Sequence, residues 1–374
     1  MTSLSPTLVR RWLDRTGDAT VLGVLRVAIG IFLFKSALDA ATAFEANGFF
    51  GDSFHLPFDL GFPAERILPS RSFYVVLLAV RLLLAVLITV GLLARPALLL
   101  TSLLGLYVLV CDRLQFHHNR YSLLCYAFLL AFTPCDKSWA IAGEKESERV
   151  APLWGVALVK AQVSLIYLAS GGSKLLDPDW RDGTVMHLRL LGAVPRLHAL
   201  GLPEKIVRWC GTAGAGSFAA KSAITTELFL ALALWFRSTR IVALWWGLLF
   251  HLWIEATAKV ELFSWLTIAV YAVFVIHDHK ARTFTFDASR DKGRTLARLV
   301  TLLDWFARFD IKPWKPDALT GGHSVVVIRR DGSRATGLYA FLMATRCLPL
   351  LFPLWAPTAF LVWLFGKDPI RIHE

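Results

Sequence analysis

Long apolar segments alternate with short polar ones along residues 20–276, and proline or charged residues stand between them. A helix needs about 20 apolar residues to cross a bilayer, so this pattern predicts about eight transmembrane helices. We place them at residues 20–44, 72–94, 97–111, 121–133, 151–171, 217–236, 241–258 and 262–276. The third, fourth and eighth segments are short, and each would have to include flanking polar residues.

The pattern changes from residue 283 onward. The stretch SVVVIRRDGSRATG at 324–337 alternates apolar and polar residues around an Asp-Gly pair, which predicts a β-hairpin. The stretch RTLARLVTLLDWFARFD at 294–310 has the spacing of an amphipathic helix. Residues 339–366 are apolar but contain three internal prolines. They allow a ninth span, but we favour helices that pack on a small α/β domain or lie at the membrane interface.

These patterns predict an α-helical polytopic membrane protein with a small α/β C-terminal region. The predicted parts are a cytoplasmic N-terminal segment at 1–19, a transmembrane domain at 20–280 and a C-terminal domain at 283–374. Composition agrees, because 56% of the residues are hydrophobic and the mean hydropathy is +0.54. A soluble chain of 374 residues would not need so much apolar surface.

The net charge of +12 comes from basic residues between the apolar segments. With eight spans, the stretches VRRWLDR, CDKSWAIAGEKESER, RSTR and HDHKAR all fall on one side of the membrane. Loops rich in Lys and Arg face the cytoplasm, so both termini are predicted to be cytoplasmic, in a cell inner membrane or plasma membrane. Contact with anionic lipid explains the positive charge without a nucleic-acid partner.

The five cysteines are scattered, and no pair has the CxxC spacing of a metal or dithiol motif. The adjacent His117 and His118 have no carboxylate at ligand spacing beside them. We therefore predict no metal site.

Charged side chains inside the apolar segments are the most informative polar residues. Each costs roughly 2.5–3.5 kcal/mol at the centre of a membrane helix, so such residues usually face a cavity or a partner. His251 and Glu255 are four residues apart and share one helix face. The alternative, that such residues form ion pairs between helices and fix the bundle, stays open. The set is Arg26, Lys35, Arg81, Lys160, Lys221, Glu227, His251 and Glu255.

Three polar groups fall on the outer side in this topology: FHHNRY at 116–121, SGGSKLLDPDW at 170–180, and His251. Burial disfavours the charged form of a lysine, and a neutral lysine is a general base. Histidine or asparagine can stabilise the anion that forms. We expect the helix to break at Gly171-Gly172 and turn Lys174 inward. The alternative is that Lys174 only extends to the membrane surface, as lysines at helix ends do.

Four stretches resemble the membrane domain of vitamin K-dependent γ-carboxylase, which the bacterial HTTM (horizontally transferred transmembrane) family shares. They cover about residues 18–280 and include Arg26 in the first helix. The stretches are TVLGVLRVAIGIFLF, FHHNRYSLLCYAFLLAFTPCDKSWAI, YLASGGSKLLDPDWRDG and FHLWIEATAKVELFSWLTIAVY.

The resemblance implies a carboxylase-like lyase or oxidoreductase that uses a reduced quinone such as vitamin K hydroquinone. In the carboxylase, a lysine of the third stretch deprotonates the hydroquinone. That family has two adjacent lysines there: Lys174 corresponds to the first, and Leu175 corresponds to the second, which is the catalytic one. The carboxylase's carbanion-stabilising histidine corresponds to Asn119, with His118 beside it.

Together, the polar segments and the resemblance predict two sets of site residues. The predicted catalytic residues are Lys174, His118, Asn119 and His251. The predicted substrate-binding residues are Arg26, Tyr121, Asp177, Asp179, Trp180, Glu227 and Glu255.

The C-terminal region resembles the thioredoxin-like DCC (DUF393) domain along 284–314 and 324–342. That family has the motif Asp-Gly-x-Cys-x-x-Cys, and the matching places here are Asp287, Arg290 and Gly293. Both cysteines are absent, which excludes dithiol chemistry at this position. The resemblance therefore implies a degenerate domain with a structural or regulatory role.

Two classes of function follow. The first is a membrane enzyme that acts on a quinone-like or lipid-soluble molecule, or modifies an exported peptide, by lysine and histidine acid–base chemistry at an outward-facing cavity. The second is a non-enzymatic membrane scaffold or transporter, or a partner in peptide-toxin maturation. Transporters often have inverted repeats with interrupted helices, and the sequence has no evident repeat.

Overall fold

A computed structural model of the chain describes residues 16–18, 20–44, 55–59, 61, 63, 67–114, 116–141, 150–152, 154–258, 260, 262–274, 282–306, 308–314, 324–329 and 332–365. The chain divides into two compact units, Met1–Phe274 and Val275–Glu374. Most of the predicted cytoplasmic segment at 1–19 and most of the stretch HDHKAR lie outside the described residues.

The first unit is helical apart from one short pair of strands. The helices are α1 (Thr20–Thr42), α2 (Arg71–Val90), α3 (Ala94–Cys111), α4 (His118–Ala131), α5 (Trp154–Leu176), α6 (Pro178–Arg181), α7 (Thr184–Ala199), α8 (Glu204–Cys210), α9 (Ala213–Ala233), α10 (Arg240–Ala258) and α11 (Phe263–Val270). A 3₁₀ turn at Tyr271–Phe274 follows α11.

Helix α2 illustrates how the sequence sets the helix ends. At its start, Ser70 Oγ accepts a hydrogen bond from the backbone N–H of Phe73 at 3.3 Å. At its end, Gly91 adopts φ 81° and donates its N–H to the carbonyls of Leu87 and Ile88. Only glycine adopts this left-handed conformation without steric penalty, so Gly91 ends the helix at this point.

Five helices of the first unit are long and apolar enough to cross a membrane: α1, α2, α3, α5 and α10. The chain is thus a multi-pass membrane protein, and the predicted count of eight spans is not confirmed. Helix α4 has 14 residues, and α11 with its 3₁₀ turn is a shorter apolar helix. Helix α9 has 21 residues, but Lys221, Glu227 and many small residues lower its hydropathy.

Strands β1 (Thr16–Asp18) and β2 (Val150–Pro152) pair antiparallel, with Thr16 opposite Pro152. These strands directly precede α1 and α5, so the N-terminal ends of those two helices lie at the same end of the unit. Helices α1 to α4 therefore return the chain to the end from which it started.

The predicted break at Gly171-Gly172 is wrong, because α5 continues without interruption to Leu176. Gly171 instead permits a close approach to α9: a Cβ at this position would lie 3.1 Å from the Leu228 side chain. The helix ends before Pro178, where Asp177 Oδ1 accepts a hydrogen bond from the N–H of Asp179 at 2.9 Å.

The segment between α5 and α9 is mostly helical. Helices α6, α7 and α8 occupy it, and α7 packs against α9 and α10. Leu190, Ala193 and Leu197 form the buried face of α7. This segment therefore forms part of the packed unit.

The second unit contains the predicted small α/β region. Its elements are β3 (Arg282–Asp287), α12 (Asp291–Leu303), β4 (Phe309–Trp314), β5 (Val325–Ile328), β6 (Arg334–Thr336), α13 (Gly337–Cys347), a 3₁₀ turn (Pro349–Leu351) and α14 (Phe352–Leu364). The predicted hairpin is β5–β6, which confirms that prediction. The predicted amphipathic helix is α12, but it ends at Leu303, and Phe309 and Asp310 of the predicted stretch belong to β4.

The sheet of the second unit has the strand order β4-β3-β5-β6. Strands β3 and β4 are parallel and are connected by α12, whereas β3–β5 and β5–β6 are antiparallel. Phe284, Val300, Phe309 and Val327 form the centre of its core. Helices α13 and α14 meet at 111°, so the prolines bend this apolar region sharply, and the pair has the length and hydropathy of one broken span.

Candidate functional site

One face of α5 presents three polar side chains toward its neighbouring helices. Tyr167, Ser170 and Lys174 follow one another at spacings of three and four residues, which places them on one helix face. Helix α9 packs along α5, and the close approach at Gly171 brings Glu227 of α9 to this face. The site therefore depends on the packing of α5 against α9.

Lys174 and Glu227 form an ion pair between the two helices. Lys174 Nζ lies 2.7 Å from both carboxylate oxygens of Glu227 and 2.5 Å from Ser170 Oγ. Ser170 Oγ in turn donates to Glu227 Oε1 at 3.2 Å. The side chains of Lys174 and Glu227 are only 16% and 9% exposed, so this is a buried pair.

Trp180 covers the ammonium group from the other side. Lys174 Nζ lies 5.0 Å from the centre of the indole, and the Arg189 guanidinium lies 5.3 Å from it. Both distances are typical of cation–π contacts. Asp177 caps α6, and Asp179 is exposed. The Lys-Leu-Leu-Asp-Pro-Asp-Trp stretch thus turns back so that its tryptophan packs on its own lysine.

A second polar cluster surrounds His251 of α10. His251 is fully buried, and its Nε2 is hydrogen-bonded to the Tyr167 hydroxyl at 2.7 Å. The Tyr167 hydroxyl is also hydrogen-bonded to the hydroxyl of Tyr271. Among the described residues, His251 Nδ1 and the buried Ser264 Oγ have no hydrogen-bond partner.

Helix α5 connects the two clusters, because Tyr167 belongs to one and Ser170 to the other. Three residues correspond to about 4.5 Å along a helix axis. Lys174 Nζ donates to both carboxylate oxygens and to a hydroxyl, and as an ammonium it has no lone pair with which to accept a proton. A proton moved to Glu227 would leave a neutral amine in place.

Among the described residues, the polar side chains of the FHHNRY stretch make no hydrogen bond or ion pair with Lys174. Asn119 is buried, and its Nδ2 donates to the Val260 carbonyl at 3.4 Å. His118 is exposed and packs edge-on against Phe116. Tyr121 is 45% exposed. Among His118, Asn119 and Tyr121, Asn119 is the residue that contacts Val260, in the connection between α10 and α11.

Arg26 lies at a different place in the unit and has a complete set of backbone partners. Its guanidinium is fully buried and donates to five carbonyl oxygens, one for each of its N–H groups. The acceptors are Ile88, Thr89, Cys135, Ser138 and Trp139. Arg26 thus joins α1 to the end of α2 and to the turn after α4.

Residues 14–279 of the chain match the model of the HTTM domain. The chain belongs to the HTTM family. The resemblance stated from the sequence is confirmed for this family, and the match covers the helical unit that contains both polar clusters. No solved structure matches the chain.

Within the HTTM domain, the structure brings Lys174, Glu227 and Trp180 into contact. His251 contacts Tyr167, which lies seven residues, or about two turns of α5, before Lys174. Glu255 lies on the same helix as His251, and in the described part of the chain it forms an ion pair with Arg196 at 4.0 Å. The predicted sites at His118, Tyr121 and Arg26 are not part of this group.

Sequence reasoning missed Tyr167, Ser170 and Tyr271. The spacing of Tyr167, Ser170 and Lys174 was the signal for the first two, because polar residues three and four apart in an apolar helix share one face. Tyr271 lies 104 residues from Tyr167, and no local pattern relates the two. Only the packing of the helices identifies Tyr271 as a member of the cluster.

Proposed function

We propose that the HTTM domain binds a lipid-soluble, quinone-like molecule and removes a proton from it, with Lys174 as the base. The observation that supports this most directly is the buried contact between Lys174, Glu227 and Ser170 at the end of α5. A buried ion pair in a membrane helix bundle is costly and is typical of functional sites.

The proposed step begins with Lys174 and Glu227 alone. The N–H proton of the ammonium passes to a Glu227 oxygen 2.7 Å away, which gives a neutral amine and a carboxylic acid. Lys174 Nζ then accepts a proton from a bound hydroxyl group and becomes an ammonium again, which leaves the bound molecule as an anion and Glu227 as a carboxylic acid. Ser170 holds both partners in position throughout, because it accepts from Lys174 and donates to Glu227.

The residues present fit a reduced quinone, which would supply a weakly acidic hydroxyl group. Such a molecule is a flat apolar ring with polar oxygens at its ends. His251 is surrounded by the rings of Phe250, Phe263 and Tyr271, and its Nδ1 has no partner among the described residues. An unpartnered buried nitrogen amid aromatic rings suits an apolar ligand with a polar edge.

The choice of Lys174 over the next position is supported by its orientation. Leu175, which matches the second lysine of the carboxylase, is 48% exposed. One residue along a helix corresponds to a rotation of about 100°. Lys174 is therefore the residue that faces α9.

A second candidate function is a non-enzymatic membrane scaffold or transporter. The observation that favours it is that Lys174, Glu227 and Ser170 satisfy one another, as a contact that only fixes α5 to α9 would do. Modification of an exported peptide and a role in peptide-toxin maturation are further alternatives to the removal of a proton from a quinone-like molecule.

We also propose the sequence-based topology, with both termini cytoplasmic in a cell inner membrane. The pairing of β1 with β2 supports a common side for residues 1–19 and the loop before α5. Labelling single cysteines placed at Ser173 and Asp287 should modify them from opposite sides of the membrane.

We propose further that the C-terminal unit is a degenerate thioredoxin-like region of the DCC type. The parallel β3–α12–β4 unit, followed by an antiparallel hairpin and a helix, supports this proposal.

The function is tested by the molecules that the protein retains. The full chain is purified in mild detergent, and bound lipids and quinones are extracted and identified by mass spectrometry. Lys174→Met and Glu227→Gln are compared with Lys221→Gln, which removes an exposed cation of α9 outside the cluster. We expect a quinone-like molecule in the wild type and in Lys221→Gln, and its loss in the other two variants.

Reconstituted protein is then supplied, in the absence of oxygen, with a reduced naphthoquinone, and ionisation of its hydroxyl group is followed by absorbance. Ionisation by the wild type but not by Lys174→Met supports the enzyme. Absence of any bound quinone and of ionisation, with Lys174→Met affecting stability alone, would contradict the proposal and favour the scaffold.

A further inference from the structure

A second polar site lies among α1, α2, α3 and α4, on helices that do not contain the Lys174–Glu227 pair. These helices surround a cavity of about 90 Å³. One part of the wall is polar and consists of Ser36, Asp39, Tyr74, Arg81 and Arg120. Much of the remaining wall is apolar and includes leucines of α1, α3 and α4. The cavity is large enough to hold several atoms of a ligand headgroup.

Arg81 is the residue of this wall whose charge needs an explanation. It lies in the middle of α2, a candidate membrane span, and is only 7% exposed. No hydrogen bond or ion pair joins it to another residue in the described part of the chain, and its buried Nε has no partner. A buried guanidinium in this position is costly unless an anion compensates it.

The carboxylate in the same wall does not provide that compensation. Both oxygens of Asp39 accept hydrogen bonds from Lys35, at 3.0 and 2.7 Å. Asp39 and Lys35 are four residues apart on α1, and their side chains are more than half exposed. Arg81 therefore faces a cavity whose lining carboxylate is already paired, and Arg120 adds a second positive charge to the same wall.

We propose that this cavity binds an oxyanion, which is either a carboxylate or a phosphate, and that Arg81 is the main residue that binds it. The guanidinium has a planar arrangement of N–H donors that matches both groups. The apolar part of the wall suits the chain of an amphipathic molecule, and a free anion would use the same polar part. This site shares no residue with the Lys174 cluster, so the two proposals stand or fall separately.

The test measures binding to the purified full chain in neutral detergent by isothermal titration calorimetry. The probes are palmitate, dioleoyl phosphatidic acid and inorganic phosphate, with dioleoylglycerol as an uncharged control. We expect at least one of the three anions to bind and dioleoylglycerol not to bind. Palmitate or phosphatidic acid alone would identify an amphipathic ligand, and binding of inorganic phosphate would identify a free anion.

The variants separate the cavity from general charge effects. Arg81→Gln should weaken binding about tenfold or more, because a charge-assisted hydrogen bond is lost. Lys221→Gln removes the same charge from an exposed position on α9 and should leave binding unchanged. If Arg81→Gln does not fold, Ala43→Leu is used, since its larger side chain reduces the cavity and retains every charge.

The proposal is overturned if none of the three anions binds the wild type. It is also overturned if Arg81→Gln and Ala43→Leu both bind the anion as strongly as the wild type does. A loss of binding in Lys221→Gln as large as the loss in those two variants would overturn it as well. Thermal stability of each variant in detergent, measured without ligand, shows whether the variant is folded.

Discussion

Breaking the buried ion pair of α5 and α9 should destabilise the protein strongly. In Glu227→Gln, the ammonium of Lys174 stays buried and loses its counter-charge, while the contacts with Ser170 and Trp180 persist. In Lys174→Met, the carboxylate of Glu227 stays buried and loses its ammonium partner. Lys174→Met removes both contacts of 2.7 Å, whereas Glu227→Gln leaves one amide oxygen as an acceptor.

The magnitude follows from how little of the pair is exposed. The side chains are 16% and 9% exposed, so solvent screens the pair weakly. Removing one partner of a buried pair costs about 3–5 kcal/mol. We therefore expect a loss of about 3 kcal/mol for each single variant, or about 100-fold in the unfolding equilibrium constant.

Replacing both partners tests whether the loss arises from the isolated charge. The double variant Lys174→Met with Glu227→Leu leaves two apolar side chains of similar size in contact. Such replacements are often neutral because the cost of burying both charges also disappears. The double variant should thus be more stable than either single variant, with a coupling energy of at least about 2 kcal/mol.

The assay is unfolding by sodium dodecyl sulfate in mixed micelles, followed by helical circular dichroism. Glu204→Gln is the control, because Glu204 and Arg208 form an exposed pair at 3.7 Å on α8. We expect it to lose less than about 1 kcal/mol. The reasoning would be refuted if the double variant lost as much unfolding free energy as the two single variants together. It would also be refuted if the single variants lost no more unfolding free energy than Glu204→Gln.

Three further outcomes are expected. Arg26→Gln should lose about 3 kcal/mol or more of unfolding free energy, since three buried and two part-buried carbonyls lose a charged donor. Gly91→Ala should lose about 2 kcal/mol or more, because its φ is 81° and the new Cβ would lie 2.4 Å from Ala140 Cβ. The hydrogen bond from the Ser289 hydroxyl is the main cause that lowers the pKa of Asp287. A carboxyl with a lowered folded-state pKa stabilises the fold above its unfolded pKa, and this contribution disappears as pH falls through the folded pKa. Wild type should therefore lose more thermal stability than Asp287→Asn below about pH 4.

Each of these outcomes has a matched comparison. Lys221→Gln, which removes an exposed cation, should leave the stability near that of the wild type, and an equal loss there would argue against the role given to Arg26. Gly172→Ala adds a Cβ to a helix position with open space around it, so it should not destabilise. If Asp287→Asn follows the same pH dependence as the wild type, another group is responsible.

Part of the candidate site was predictable from α5 alone. Lys174 stands at the end of an apolar segment, and the sequence identified it and Trp180 as members of one site. Their contact at 5.0 Å follows from the Asp-Pro turn between them. Glu227 was also identified, but its pairing with Lys174 was not, because the two residues are 53 positions apart. The spacing of polar residues within a helix cannot predict a contact between residues so far apart in the sequence.

The misplaced details have a common physical cause. A Gly-Gly pair lowers helix propensity by about 1 kcal/mol per residue, which made a break after residue 170 a reasonable expectation. Packing outweighed that penalty, since Gly171 allows α9 to approach α5 closely. Similarly, Arg26 is a charged residue in an apolar segment whose partners are backbone carbonyls of α2 and of the turn after α4. Hydropathy cannot distinguish such a residue from a ligand-binding one.

By itself, the sequence determined the membrane class, most of the helices, and the hairpin and amphipathic helix of the C-terminal unit. These features depend on hydropathy, periodicity and turn residues, all of which are local along the chain. Only the tertiary structure decided which polar side chains meet, Lys174 with Glu227 and His251 with Tyr167, and that Arg81 lines a cavity among α1, α2, α3 and α4. Contacts between helices depend on how closely their backbones approach, and that depends on all the packed side chains together.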